Sequence, residues 1–88
     1  MTDPEKKSVV VTGAAGGMGQ AICKKFVANG YFVIAGDANA ARLIDSIGEL
    51  NRSGQNAVAK PGDLRSKAYC EDLIDEAIGL TRAAGRPG

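Results

Sequence analysis

The chain has 88 residues, 44% of them apolar and 24% charged, with a net charge of +1. That length allows one domain with an ordinary globular balance, and the charge offers no concentrated basic patch for nucleic acid or an anionic membrane. No apolar run approaches the roughly 18 residues of a membrane span.

The polar opening at residues 1–7 has no signal-peptide core behind it, so a cytoplasmic location is expected. Cys23 and Cys70 lack CxxC spacing and read as reduced core or helix cysteines. The sequence has no histidine, which removes the commonest metal ligand and general base. No metal site is expected.

Residues 7–12 contain Ser-Val-Val-Val-Thr, a β-branched run typical of a buried parallel strand. A glycine-rich turn follows. The spacing then predicts a helix over residues 17–29, with Met18, Ile22 and Phe26 at four-residue steps and Cys23 and Val27 alongside. Gly30 occupies the position of a helix-terminating glycine. Residues 31–35 form a second apolar strand closing on Gly36-Asp37. A second helix over residues 39–53 places Leu43, Ile47 and Leu50 on one face, with Ile44 beside them. Gly48 weakens its middle by roughly 1 kcal/mol relative to alanine.

Residues 56–61 form a short third strand. Pro61 cannot donate to a ladder, so this strand belongs at an edge or stops there. Ser66 is the expected N-cap of a last helix running to about residue 83. Its buried face is Tyr69, Leu73, Ala77 and Leu80, with Ile74 and Ile78 adjacent. The tail, Ala84-Gly85-Arg86-Pro87-Gly88, is a helix stop. The alternation of strand and helix implies parallel strands joined by right-handed crossovers. Handedness puts the first two helices on one face of the sheet and the third on the other. Cys23 and Cys70 then lie on opposite faces and cannot pair.

The loop Thr12-Gly13-Ala14-Ala15-Gly16-Gly17-Met18-Gly19 carries the strongest chemical signal. A pyrophosphate needs backbone N–H donors at a helix N-terminus, without side chains in the way. Gly13 allows the sharp turn out of the strand. Gly17 allows close approach of phosphates, and Gly19 lets the helix pack near the first strand. The absence of a following Lys-Ser/Thr excludes a P-loop. Asp37, at the end of the second strand, can accept hydrogen bonds from ribose hydroxyls and repels a 2′-phosphate. The loop has no basic residue, and the first arginine after Asp37 is Arg42, already inside a helix. NAD is therefore expected over NADP.

The spacing Thr-Gly-x-x-x-Gly-x-Gly after Val-Val-Val resembles the short-chain dehydrogenase/reductase family. The resemblance covers the whole chain, about the first third of a family member. It implies the N-terminal β-α-β-α-β-α half of a Rossmann doubly wound parallel sheet, an α/β fold with strand order 3-2-1 within 3-2-1-4-5-6-7. It implies an oxidoreductase that moves a hydride between nicotinamide and an alcohol or ketone. It further implies that Asp63 meets the adenine amine, that Leu64 offers its backbone N–H, and that Met18 meets a phosphate through its N–H. The expected cofactor-binding set is Gly13, Ala15, Gly16, Gly17, Met18, Gly19, Asp37, Asp63 and Leu64.

The family's Asn-Asn-Ala-Gly segment, catalytic serine and Tyr-x-x-x-Lys pair do not occur. Tyr31 and Tyr69 are followed four residues on by Ala35 and Leu73, so no catalytic residue is assigned and the chain alone is expected to be inactive. It is expected to be a fragment of a longer enzyme, residues 1–88 forming one partial dinucleotide-binding domain. Its first strand would otherwise expose an apolar edge. The expected partners are the dinucleotide and the remainder of the enzyme, with a second copy of the chain a further candidate. Two alternatives remain open. Gly13, Gly16 and Gly19 also satisfy Gly-x-x-Gly-x-x-Gly, the spacing of the extended, nucleotide-sugar epimerase-like branch, although the long last helix favours the compact branch. A non-catalytic nucleotide-binding or interaction module is the other.

Overall fold

A computed structural model describes residues 7–85. Three strands, β1 (Ser8–Thr12), β2 (Phe32–Asp37) and β3 (Ala57–Pro61), alternate with three helices, α1 (Gly17–Ala28), α2 (Ala40–Leu50) and α3 (Lys67–Gly85). A 3-10 turn, Asn51–Ser53, extends α2. All strand pairs are parallel, and the sheet order is β1-β2-β3. Read from the β3 edge, this is 3-2-1.

β2 is the central strand, and Val33, Ile34 and Ala35 are fully buried within it. β3 lies at an edge of the sheet, as Pro61 requires. The Gly62 N–H donates to the Asp37 carbonyl at 3.0 Å. Neighbouring N–H groups in a strand point to opposite edges, so the missing Pro61 N–H falls on the outer side. The ladder loses nothing there.

Side chains alternate between the two faces of the sheet. Val11, Val33, Ala35 and Ala57 form one core with Cys23 of α1 and Leu43 and Ile47 of α2. Gly36 faces the opposite way, toward Tyr69 and Leu73 of α3. Ser8 Oγ on β1 donates to the Ala77 carbonyl of α3 at 2.8 Å. The helices are thus divided two and one between the faces, as handedness requires. Cys23 and Cys70 are both free thiols. Burial pushes the Cys23 thiol above its ordinary pKa.

The helix boundaries have local causes. α1 ends in a Schellman arrangement at Gly30, whose φ is +85°. The Gly30 N–H donates to Val27 O and the Tyr31 N–H to Phe26 O, each at 3.0 Å. The Phe26 and Tyr31 rings close the motif edge to face at 5.0 Å. Asn39 caps α2 by accepting the Arg42 N–H at 3.2 Å. Ser66 caps α3 through its hydroxyl, which accepts the Tyr69 N–H at 3.2 Å. The second helix breaks at Leu50 because the Asn51 side chain accepts the N–H groups of Asn56 and Ala57, clamping the turn onto the start of β3.

Several expected core positions are corrected. Met18 is 80% exposed and Ile22 40% exposed, while Gly19 and Cys23 are the buried residues of α1. The helix comes closest to the chain beneath it where it has no side chain, at Gly19, and this rotates Met18 and Ile22 outward. Ile44, Ile74 and Ile78 are likewise exposed, at the margins of faces whose buried centres are Leu43, Ile47 and Leu73. Gly48 does not interrupt α2, where it is exposed. The Leu80 side chain and residues 86–88 of the tail lie outside the described set, as does the polar opening before Lys7.

Candidate functional site

The three parallel strands end on the same side of the sheet, so the glycine loop, Asp37 and the Asp63-Leu64 turn share one end of the molecule. Ligands of open α/β sheets bind at the carboxyl ends of the strands.

Gly13 begins the loop with φ at +67°, a left-handed conformation that side chains resist. Hydrogen bonds tie the loop down along its length. The Ala14 N–H donates to Gly36 O at 3.1 Å and the Gly16 N–H to Gly13 O at 3.2 Å. Gln20 reaches back from the first turn of α1 and donates Nε2 to Ala15 O at 2.8 Å. Gly16 is the N-cap residue and supplies no side-chain cap. The N–H groups of Gly17, Met18 and Gly19 therefore lie in the first turn, without i−4 helical partners, at a positive helix end. A Cβ on Gly17 would meet nothing within 4 Å, so the approach is open. A Cβ on Gly19 would fall 2.8 Å from Ala14 Cα and closer still to Gly13 O. The close packing expected at Gly19 is therefore against the loop itself, immediately beyond β1.

Asp37 lies at the end of β2, and its carboxylate joins two segments. Oδ2 accepts the Ala15 N–H of the glycine loop at 3.0 Å, and Oδ1 accepts the Asn39 N–H at 2.9 Å. The Asn39 and Ala15 bonds hold its pKa below the ordinary carboxylate value, with a smaller contribution from the Arg42 charge. Each oxygen keeps a further lone pair for a second donor. A pair of ribose hydroxyls has the matching chemistry.

Asp63 is arranged differently. Its Oδ1 accepts the Arg65 N–H at 2.9 Å, and Oδ2 pairs with the Arg65 guanidinium at 3.1 Å. The Arg65 side chain, followed by the backbone bond, lowers its pKa. The Asp63 carbonyl accepts the Ser66 N–H at 2.9 Å, completing a turn into α3. The side chain shapes its own loop and contacts neither Asp37 nor the glycine loop. Leu64 is 42% exposed beside it. Gly13, Ala15, Gly16, Gly19 and Asp37 thus form one hydrogen-bonded or packed unit, and Gly17 opens α1 beside it. Met18 projects outward from its edge, and Asp63 and Leu64 stand on the neighbouring turn.

Sequence reasoning passed over two residues that hold this unit. Asn39 donates to Asp37 and caps α2, and the Asp-x-Asn spacing before a helix could have signalled it. Gln20 carries no comparable signal, because a glutamine in an amphipathic helix is usually only a solvated residue. No cluster of three or more metal-ligating side chains occurs among the described residues. None of the described helices is long and apolar enough to cross a membrane.

The model of the short chain dehydrogenase family matches residues 7–83, from before β1 to the last turn of α3. The chain belongs to that family. It is 33% identical over 72 residues to a diacetyl reductase [(S)-acetoin forming] from Staphylococcus epidermidis, covering 82% of this chain and 28% of the relative. A short chain dehydrogenase/reductase from Burkholderia phymatum, solved in complex with NAD, superposes with a TM-score of 0.79 at 26% identity. That match covers 97% of this chain and 29% of the other. An actinorhodin polyketide ketoreductase solved with NADPH gives a TM-score of 0.80 at 25% identity, covering 92% and 31% of the two chains. The 88 residues thus span less than a third of the length of these relatives. The family is one of oxidoreductases, and its match favours the dehydrogenase reading of the glycine loop over the epimerase-like one. Neither Tyr31 nor Tyr69 begins a Tyr-x-x-x-Lys.

Proposed function

We propose that this short chain dehydrogenase segment holds the adenosine and pyrophosphate of a nicotinamide dinucleotide, with NAD preferred to NADP. The observation that carries the reading is the Ala15–Asp37 bond, which joins the phosphate-type loop to the ribose-type carboxylate at 3.0 Å. The first-turn N–H groups of Gly17, Met18 and Gly19 suit a diphosphate. Gly13, Ala15 and Gly16 shape the loop around it. The remaining lone pairs of Asp37 suit the ribose hydroxyls, and its charge opposes a 2′-phosphate. Asp63 and the Leu64 N–H would flank the adenine.

When bound, the cofactor supplies hydride exchange with an alcohol or ketone at its nicotinamide. This chain's residues bind and orient the opposite half. Residues 1–88 act as one partial dinucleotide-binding domain, and the groups that move the substrate proton belong elsewhere in the working enzyme. The chain alone is inactive in this reading. Two free cysteines fit a reducing compartment, the cytoplasm.

Titration of the chain with NAD and NADP by calorimetry tests the proposal. NAD should bind more tightly than NADP, and Asp37→Ala should weaken NAD by about tenfold or more, the worth of one hydrogen bond to a charged group. A folded chain that takes up no NAD at millimolar concentration would leave only an interaction module.

A further inference from the structure

Tyr69 lies in the first turn of α3, on the opposite face of the sheet from α1 and α2. Its ring occupies space that two glycines leave vacant. A Cβ on Gly36 would come within 2.7 Å of the phenolic oxygen and one on Gly62 within 2.9 Å of the ring Cγ. Gly36 is the residue before Asp37, and Gly62 is the residue before Asp63. One aromatic side chain therefore packs against the backbone directly preceding both candidate adenosine-binding carboxylates.

Its hydroxyl extends the same connection. Tyr69 Oη donates to the Lys60 carbonyl of β3. Lys60 is the register partner of Gly36 on β2. The Gly62 N–H in turn donates to the Asp37 carbonyl at 3.0 Å. Burial raises the phenol's pKa, opposed in part by a backbone hydrogen bond from Asp37. Glycine weakens a strand because it packs no side chain and gains conformational freedom on unfolding. Here two glycines, on separate strand ends, each leave room for the same ring.

We infer that Tyr69 is a positioning residue, whose ring and hydroxyl set the spacing of the β2 and β3 carboxyl ends and so aim Asp37 and Asp63 at the cofactor's adenosine half. The inference rests on the dinucleotide reading above. It assigns Tyr69 no contact with the cofactor. A side chain that only filled the core would affect every ligand alike. One that aims Asp37 governs discrimination at the ribose 2′ position, where the carboxylate charge must stand close to exclude a phosphate.

The test is calorimetric titration of the wild-type chain, Tyr69→Phe and Tyr69→Leu with NAD and with NADP, each fold checked by circular dichroism. Tyr69→Phe keeps the ring and removes the hydroxyl, with its bond to the Lys60 carbonyl and the one it accepts from the Asp37 backbone. It should bring the NADP-to-NAD dissociation-constant ratio down toward one by about fivefold, of the order of one hydrogen bond. Tyr69→Leu should reduce the ratio further. If Tyr69→Leu fails to fold, Tyr69→Phe alone decides. Equal weakening of both cofactors, or an unchanged ratio in a wild-type chain that binds NAD, would overturn the positioning role and leave the dinucleotide reading standing. A folded wild-type chain that binds neither cofactor would overturn both.

Discussion

Asp37 and Asp63 occupy equivalent places, each just past a parallel strand on the same side of the sheet, yet they are held in opposite ways. Asp37 reaches across 22 residues of chain to the Ala15 N–H and locks the glycine loop to β2. Asp63 reaches two residues, to Arg65, and shapes only its own turn. The Arg65 side chain that pairs with it is 92% exposed, so solvent screens the pair. A carboxylate at a strand end thus becomes part of a site when its partners come from another element.

That contrast breaks most severely at Gly19, because the position of Ala15 depends on how closely α1 packs against the loop. Gly19→Ala puts a Cβ into the Gly13 carbonyl and against Ala14 Cα, both backbone atoms that no rotamer change can move aside. Forcing the helix away should cost about 3 kcal/mol, the upper end for overpacking, and should abolish NAD binding. Urea denaturation and calorimetry measure the two effects. Gly17→Ala is the control: open space surrounds its Cβ, so stability should stay within about 0.5 kcal/mol while cofactor affinity falls. Equal destabilisation by the two substitutions would remove Gly19 from its role.

A smaller effect is expected at Asp37 itself. Asp37→Asn replaces one acceptor oxygen with an NH2 group that must face either the Ala15 or the Asn39 N–H. One hydrogen bond becomes a donor–donor contact, at a cost of about 1 kcal/mol. The pH dependence has a definite sign. The folded-state pKa of Asp37 lies below its unfolded value, first through the Asn39 N–H and then the Ala15 N–H. Its contribution to stability is therefore complete above the unfolded value of about 3.9 and is lost as pH falls through the lower folded value. Denaturation midpoints of the wild type and Asp37→Asn should converge on acidification below pH 4. Parallel curves down to full protonation would show that the bonds contribute no stability.

Local sequence carried much of this. Element order, the Gly30 and Ser66 helix boundaries and the edge position of Pro61 all follow from short-range residue chemistry, whereas the bond between Ala15 and Asp37 spans 22 residues. What stayed illegible depends on contacts between elements. The apolar stripe of α1 pointed to Met18 and Ile22, but a periodicity count gives no weight to Gly19, where the helix approaches most closely. Nothing near Gly36 and Gly62 in sequence announces that Tyr69 will fill the space they leave. Asn51 looked like a helix residue, whereas its side chain finds the backbone of Asn56 and Ala57 only once β3 has formed.

The smallest expected effect sharpens the comparison most. Asp63→Ala removes an exposed carboxylate whose partners lie within its own turn, so the denaturation midpoint should be indistinguishable from wild type. Adenosine monophosphate separates the two remaining roles, since it lacks the pyrophosphate that the glycine loop would hold. If Asp63 meets the adenine amine, the substitution should weaken this ligand by about fivefold, one hydrogen bond, and should weaken inosine monophosphate, which lacks that amine, much less. If it only closes the turn, both ligands should bind the variant as they bind the wild type. Asp37→Ala should instead weaken both nucleotides alike, because the ribose it would hold is common to them.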